Sequence, residues 1–125
     1  MKNALLRRED CNVISVDWSR GAKFPYGQAT GNTRLVGAQT AELIRFLISS
    51  SSGSPNRLID RFYIVGFSLG AHVAGYAGSY LRARGMKLAR VTGKTELSGE
   101  QALYFECRAN QAPNNALAEA EATRG

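Results

Sequence analysis

Residues 61 to 78 read Arg61-Phe62-Tyr63-Ile64-Val65-Gly66-Phe67-Ser68-Leu69-Gly70-Ala71-His72-Val73-Ala74-Gly75-Tyr76-Ala77-Gly78. Arg61 to Val65, with the run Phe62-Tyr63-Ile64-Val65, reads as a strand, and the residues after Ser68 keep helical spacing. Between them lies G-x-S-x-G, in which a serine at the tip of a sharp strand-to-helix turn needs small neighbours on both sides. Gly66 and Gly70 supply them. Ser68 is the candidate nucleophile, and the backbone N–H of Leu69, at a helix N-terminus, is the candidate donor to a developing oxyanion.

Working outward, Asn12-Val13-Ile14-Ser15-Val16-Asp17-Trp18 reads as a buried parallel strand. Gly21 to Gly31 shows no periodicity and reads as a surface loop. Asn32 offers a helix cap, and Val36, Thr40, Leu43 and Leu47 follow at helical spacing, with Leu35, Ile44 and Ile48 widening an apolar stripe. Ser49 to Pro55 is a Ser- and Gly-rich break. In the helix after Ser68, Val73, Tyr76, Ala77, Tyr80 and Leu81 lie on related faces, while Ala71, Ala74, Gly75 and Gly78 thin the others for close approach to a sheet. Each helical glycine costs about 1 kcal/mol against alanine, so close backbone contact is the expected compensation. Leu88 to Thr92 reads as the next strand. Strands alternating with helices predict an α/β fold with parallel pairing through right-handed crossovers.

The 125 residues suffice for one domain. Sixteen Lys and Arg against ten Asp and Glu give a net charge of +6, but the basic residues are scattered and no nucleic-acid motif interleaves them. A nucleic-acid role is therefore not expected. No His, Cys or carboxylate cluster has metal spacing, and neither metal nor cofactor is expected. Cys11 and Cys107 are far apart in sequence, which leaves their pairing open. The start, Met-Lys-Asn-Ala-Leu-Leu-Arg-Arg, lacks the apolar core of a secretory signal, and no transmembrane run exists.

Four ordered blocks resemble the pancreatic lipase family: Val16-Asp17-Trp18-Ser19; Tyr26-Gly27-Gln28-Ala29 with Asn32-Thr33-Arg34-Leu35-Val36-Gly37 and Ala41; Gly66 to Gly75 around the elbow; and Arg90-Val91-Thr92-Gly93. They cover residues 10–93, read as a partial α/β-hydrolase domain, with 94–125 a divergent tail carrying at most a short strand at Leu103 to Glu106. The resemblance implies a secreted serine ester hydrolase that cleaves triacylglycerol or phospholipid acyl esters at a lipid–water interface, with Ser68 forming an acyl-enzyme.

The family pattern continues after Arg-x-Thr-Gly with Leu-Asp-Pro-Ala, whose aspartate is the triad acid, where this chain reads Lys94-Thr95-Glu96-Leu97. Glu96 lies one position off, so no triad acid is found, and no triad base is found either. The chain order of this fold is Ser, then Asp or Glu, then His. The only histidine, His72, is four residues after Ser68 and reads as a packed or hydrogen-bonded structural residue of the family's helix. The family's upstream His-Gly loop, source of a second oxyanion donor, precedes the place where this sequence starts. As written, the chain is expected to be a poor catalyst or none, which keeps a second reading open, a noncatalytic lipase-like protein binding lipid or a partner. A thioesterase or peptidase on the same elbow is a third reading that the other blocks disfavour. Asp17 and Trp18 are expected to brace the core near the nucleophile, and Tyr26, Tyr76 and Tyr80 to pack in it. Missing flanking strands are expected to expose sheet edges and lower solubility.

Overall fold

The computed structural model describes residues 2–23, 25–94 and 103–108, the last group as backbone. Along the chain come α1 (Lys2–Arg8), β1 (Cys11–Val16), α2 (Tyr26–Ser49), α3 (Pro55–Ile59), β2 (Phe62–Phe67), α4 (Leu69–Arg82), β3 (Arg90–Lys94) and β4 (Leu103–Arg108).

The four strands form one sheet in the order β1-β4-β2-β3. β2 and β3 pair in parallel, with Gly66 beside Gly93 and Phe67 beside Lys94. The expectation of parallel pairing holds there and fails elsewhere, because β4 is inserted antiparallel between β1 and β2. β1 runs parallel to β2 but shares no ladder with it. The strand expected at Leu103 to Glu106 exists and extends to Arg108, opposite both Cys11–Val16 and Phe62–Gly66. In that register Cys11 faces Arg108, and Cys107 stands opposite Asn12.

One core collects Ile44 and Ile48 of α2, Val73, Ala77 and Leu81 of α4, and Phe62 and Ile64 of β2. At about 25 cal/mol per Å² of apolar surface, each Ile, Val, Leu and Phe side chain among them contributes roughly 1.5–3 kcal/mol, so this cluster dominates the favourable side of folding. Trp18 completes it from the turn after β1.

Several boundaries differ from the sequence reading. α2 begins at Tyr26, not at Asn32, so half of the expected surface loop is helix. Pro25 caps it in extended backbone, where its fixed φ suits a helix start and its missing N–H is no loss. Asn32 is not a cap. From within the helix its Nδ2 donates to the Gly21 carbonyl at 3.1 Å and fastens the preceding turn. The buried stripe of α2 is Ala29, Thr33, Gly37, Thr40, Ala41, Ile44 and Ile48, whereas Leu35 and Leu43, expected on it, are exposed. At Gly37 α4 comes too close for any side chain. A Cβ on Gly37 would lie 2.6 Å from Tyr76 Cβ and 2.9 Å from the Val73 carbonyl. The buried hydroxyls of Thr33 and Thr40 are satisfied by the Thr30 and Val36 carbonyls.

On α4 the expected close approach holds at Gly78, where a Cβ would be 3.2 Å from Val91 Cγ2, and fails at Gly75, which faces open space. Tyr26 and Tyr76 are exposed rather than core residues. Tyr80 is half-buried and turns its hydroxyl to Glu42. β3 starts two residues later than read, because Leu88 is a buried plug ahead of the strand. The short helices α1 and α3 had no counterpart in the sequence reading. Among the described residues no helix is long and apolar enough to cross a membrane.

Candidate active site

Ser68 stands between the last residue of β2 and the first of α4 with φ 53° and ψ −123°. It is the one non-glycine residue with positive φ among those described. A side chain rarely adopts this conformation, and it persists only where the surroundings over-determine it. Three contacts do so here. The Ser68 N–H donates to the Lys94 carbonyl at 2.7 Å, carrying the β2–β3 pairing one step past the strand. The Ser68 carbonyl accepts from the Ala71 N–H at 3.0 Å, which opens α4. Beneath the turn, a Cβ on Gly66 would collide with the backbone carbonyl group of Gly70. The small residue that the sequence pattern called for at position 66 is thus required by backbone atoms, not by side chains.

The turn leaves Ser68 partly exposed and Leu69 buried at 2% exposure. As the first residue of α4, Leu69 has an N–H with no intrahelical carbonyl to meet, and the helix dipole adds positive potential at that end. A polarised N–H beside an accessible hydroxyl can stabilise charge on an acyl oxygen as the hydroxyl adds to its carbon.

The proton relay has no visible counterpart. Among the described residues the Ser68 hydroxyl makes no hydrogen bond. His72 is exposed on α4 without a hydrogen-bond partner in that set, so the expected packed or bonded role fails. One turn along the helix, its Cβ leans toward the helix start on the outer surface and not into the sheet. Glu96 lies outside the described residues, as does most of the tail after Lys94.

Trp18 and Asp17 divide the bracing role expected of them. Trp18 is 6% exposed and lies in the core. Its carbonyl accepts the N–H groups of Gly21 and Ala22, which turns the chain after β1. Its indole Nε1 is buried without a partner among the described residues. Asp17 is exposed and braces nothing in the core. It accepts the Ser19 N–H at 3.0 Å, which holds its carboxyl below the ordinary range. A cavity of about 410 Å³ opens beside these residues, between the end of β1 and α2, with Val36, Thr40 and Leu43 on its far wall. No group of three or more His, Cys, Asp or Glu among the described residues could hold a metal ion.

Gly93, Lys94 and Ala71 were not recognised as parts of the turn. Gly93 stood one residue past the strand read as Leu88 to Thr92, whereas β3 runs through it to Lys94, and the Lys94 carbonyl is a backbone group with no signature in the side chain.

A family model described as Lipase matches residues 1–110. The chain is 41% identical over 93 residues to an inactive pancreatic lipase-related protein 1 of Homo sapiens, covering 74% of this chain and 18% of that protein. It is 43% identical over 93 residues to a pancreatic triacylglycerol lipase of Myocastor coypus, covering 74% and 19%. A pancreatic lipase-related protein 2 of Mus musculus is 40% identical over the same length, covering 74% and 18%. The chain thus spans less than a fifth of the length of these relatives. No solved structure matches significantly.

Proposed function

Because this chain belongs to the pancreatic lipase family, we propose that it carries the nucleophile of a lipase-type carboxylic ester hydrolase, with Ser68 attacking the acyl carbon and the Leu69 N–H stabilising the oxyanion. The observation that supports this is the strained positive φ of Ser68, fixed by backbone contacts on three sides. Strain at a single accessible serine is hard to account for by packing, since a glycine there would serve the fold better.

In this reading the hydroxyl oxygen of Ser68 bonds to the acyl carbon, its proton passes to a base, and the alcohol departs to leave an acyl-enzyme that water hydrolyses. The base and the acid that orients it are not assigned to any residue here. The substrate class is an acyl ester of a lipid at a lipid–water interface, and the compartment is extracellular, both by family resemblance. Triacylglycerol and phospholipid esters share the chemistry that Ser68 would perform.

A second reading has its own support. A relative at 41% identity is named an inactive lipase-related protein, and Ser68 lacks a hydrogen-bonded partner among the described residues. The alternative is a noncatalytic lipase-like protein that binds lipid or a partner.

Hydrolysis of a short-chain p-nitrophenyl ester decides between them. Turnover that falls by 100-fold or more on Ser68→Ala, a magnitude in keeping with loss of a nucleophile, establishes the hydrolase. Saturable binding to phospholipid vesicles, with no turnover by either form, establishes the binder. Parental hydrolysis by Ser68→Ala overturns the nucleophile assignment.

A further inference from the structure

The elbow glycines explain why α4 can follow β2 so abruptly, but not why the turn keeps its angle against the rest of the sheet. β3 supplies that constraint. Gly93 stands in register beside Gly66, and the two form a floor without side chains under the first turn of α4. Gly66 lies against Gly70, while a Cβ on Gly93 would be 2.9 Å from Ala71 Cβ and 3.4 Å from Ala71 Cα. The next residue, Lys94, accepts the Ser68 N–H through its carbonyl at 2.7 Å. Ala71 in turn donates its N–H to the Ser68 carbonyl. One two-residue step of β3 therefore reaches both the N–H and, through Ala71, the carbonyl of the strained serine.

We propose that Gly93 is a positioning residue for Ser68: its missing side chain lets Ala71 settle onto β3, and that seating holds the serine at positive φ with its hydroxyl beside the Leu69 N–H. A methyl at position 93 would lift the first turn of α4 by the few tenths of an ångström needed to relieve the contact, and a displacement on that scale matters in a site whose function depends on angle. The proposal rests on the reading of Ser68 as the reactive residue, but its test does not need ester turnover.

In a Ser68→Cys background, iodoacetamide alkylation of the residue-68 peptide is followed by mass spectrometry, which separates it from Cys11 and Cys107. The full chain is used, at temperatures where circular dichroism shows each variant folded. Gly93→Ala is expected to change the alkylation rate constant by at least about fivefold, and adding Ala71→Gly to restore it to within about twofold, because the clashing atom is gone. A merely structural Gly93 would lower the melting midpoint and leave the rate constant of the folded protein at its parental value, and that result overturns the proposal. So does failure of Ala71→Gly to restore the rate in a folded protein. If Gly93→Ala does not fold, Ala71→Val crowds the same seat from the helix side: an altered rate supports the proposal and a parental rate overturns it. Parental ester hydrolysis by Ser68→Ala would remove the nucleophile assignment and leave this measurement of turn geometry standing.

Discussion

In the β2–β3 half of the sheet the contacts that fix the serine turn come from one stretch of chain, Gly66 to Lys94, and are made by backbone carbonyls, N–H groups and bare Cα atoms, with the Ala71 methyl seated at Gly93. In the β1–β4 half the arrangement is reversed. Among the described residues β1 is hydrogen-bonded into the sheet through β4 alone, a strand much later in the chain. Ile14 and Val16 pack against the core from β1 but are only partly buried. One half is thus local and sterically determined, the other non-local and joined by a single inserted strand. The candidate nucleophile sits in the half that can be built from one β–α–β step, and that half should open last, since stability is not uniform across a structure.

The largest effect is expected where the crowding is tightest. Gly66→Ala would drive a methyl into the Gly70 carbonyl group, a collision that no rotamer can relieve. A destabilisation of about 3 kcal/mol or more follows from overpacking against backbone. The thermal midpoint should fall by more than about 10 °C for a domain of this size. A midpoint within about 2 °C of the parent would show that the elbow can relax and that the contrast between the halves is weaker than drawn.

A smaller, selective effect is expected from Phe105→Pro. Residue 105 pairs with Ile14 on one side and Ile64 on the other, and proline removes a ladder donor from a strand that is central to the sheet. A net destabilisation is expected from the lost ladder bond, and amide hydrogen exchange should show Cys11–Val16 losing protection first while Phe62–Phe67 and Arg90–Lys94 keep theirs. Uniform loss across all four strands would mean that the halves open as one unit.

The same contrast governs how much could be read from the sequence. The elbow was legible because its requirements are local: a glycine two residues either side of a serine, after an apolar run and before a helical one. β4 was legible as a short strand but not in its place, since nothing in Leu103–Arg108 announces an antiparallel partner as far upstream as Cys11–Val16. The start of α2 was missed for another reason. Gly27 and Gly31 suggested a loop, yet both face solvent on a helix whose buried side is secured by Ala29 and Thr33. The apolar stripe was misjudged by size: Leu35 and Leu43 suggested the core, but Gly37 and Ala41 face α4, where closeness rather than hydrophobicity selects the residue. His72 was read as packed or hydrogen-bonded and is exposed instead, because one turn of helix says how far a side chain is from Ser68 but not what lies above it.

The link between α2 and α4 sharpens the comparison at its least energetic point. Above the buried Gly37 crossing, Glu42 accepts the Tyr80 hydroxyl at 2.7 Å and Arg45 at 2.8 Å. The Arg84 guanidinium lies 3.4 Å over the Tyr80 ring. The Tyr80 hydrogen bond, followed by that of Arg45, holds the Glu42 carboxyl below its ordinary value near 4.5. The same bond raises the Tyr80 phenol above 10.0, since losing its proton would set two negative charges together. A carboxyl lowered in the folded state takes up protons more readily when unfolded, so its contribution is complete above pH 4.5 and is lost as pH falls through the folded value. A phenol raised in the folded state works in the opposite direction: its contribution is complete below pH 10 and is lost as pH rises through the folded value. The cluster is solvent-screened, and exposed ion pairs contribute little. Glu42→Gln should therefore lower the melting midpoint at pH 7 by only about 2 °C or less, while flattening the fall in midpoint between pH 4.5 and 3 relative to the parent. An unchanged acid slope would assign that slope to other carboxylates and leave the buried apolar packing of α2 on α4, with its close crossing at Gly37, as what holds the two helices together.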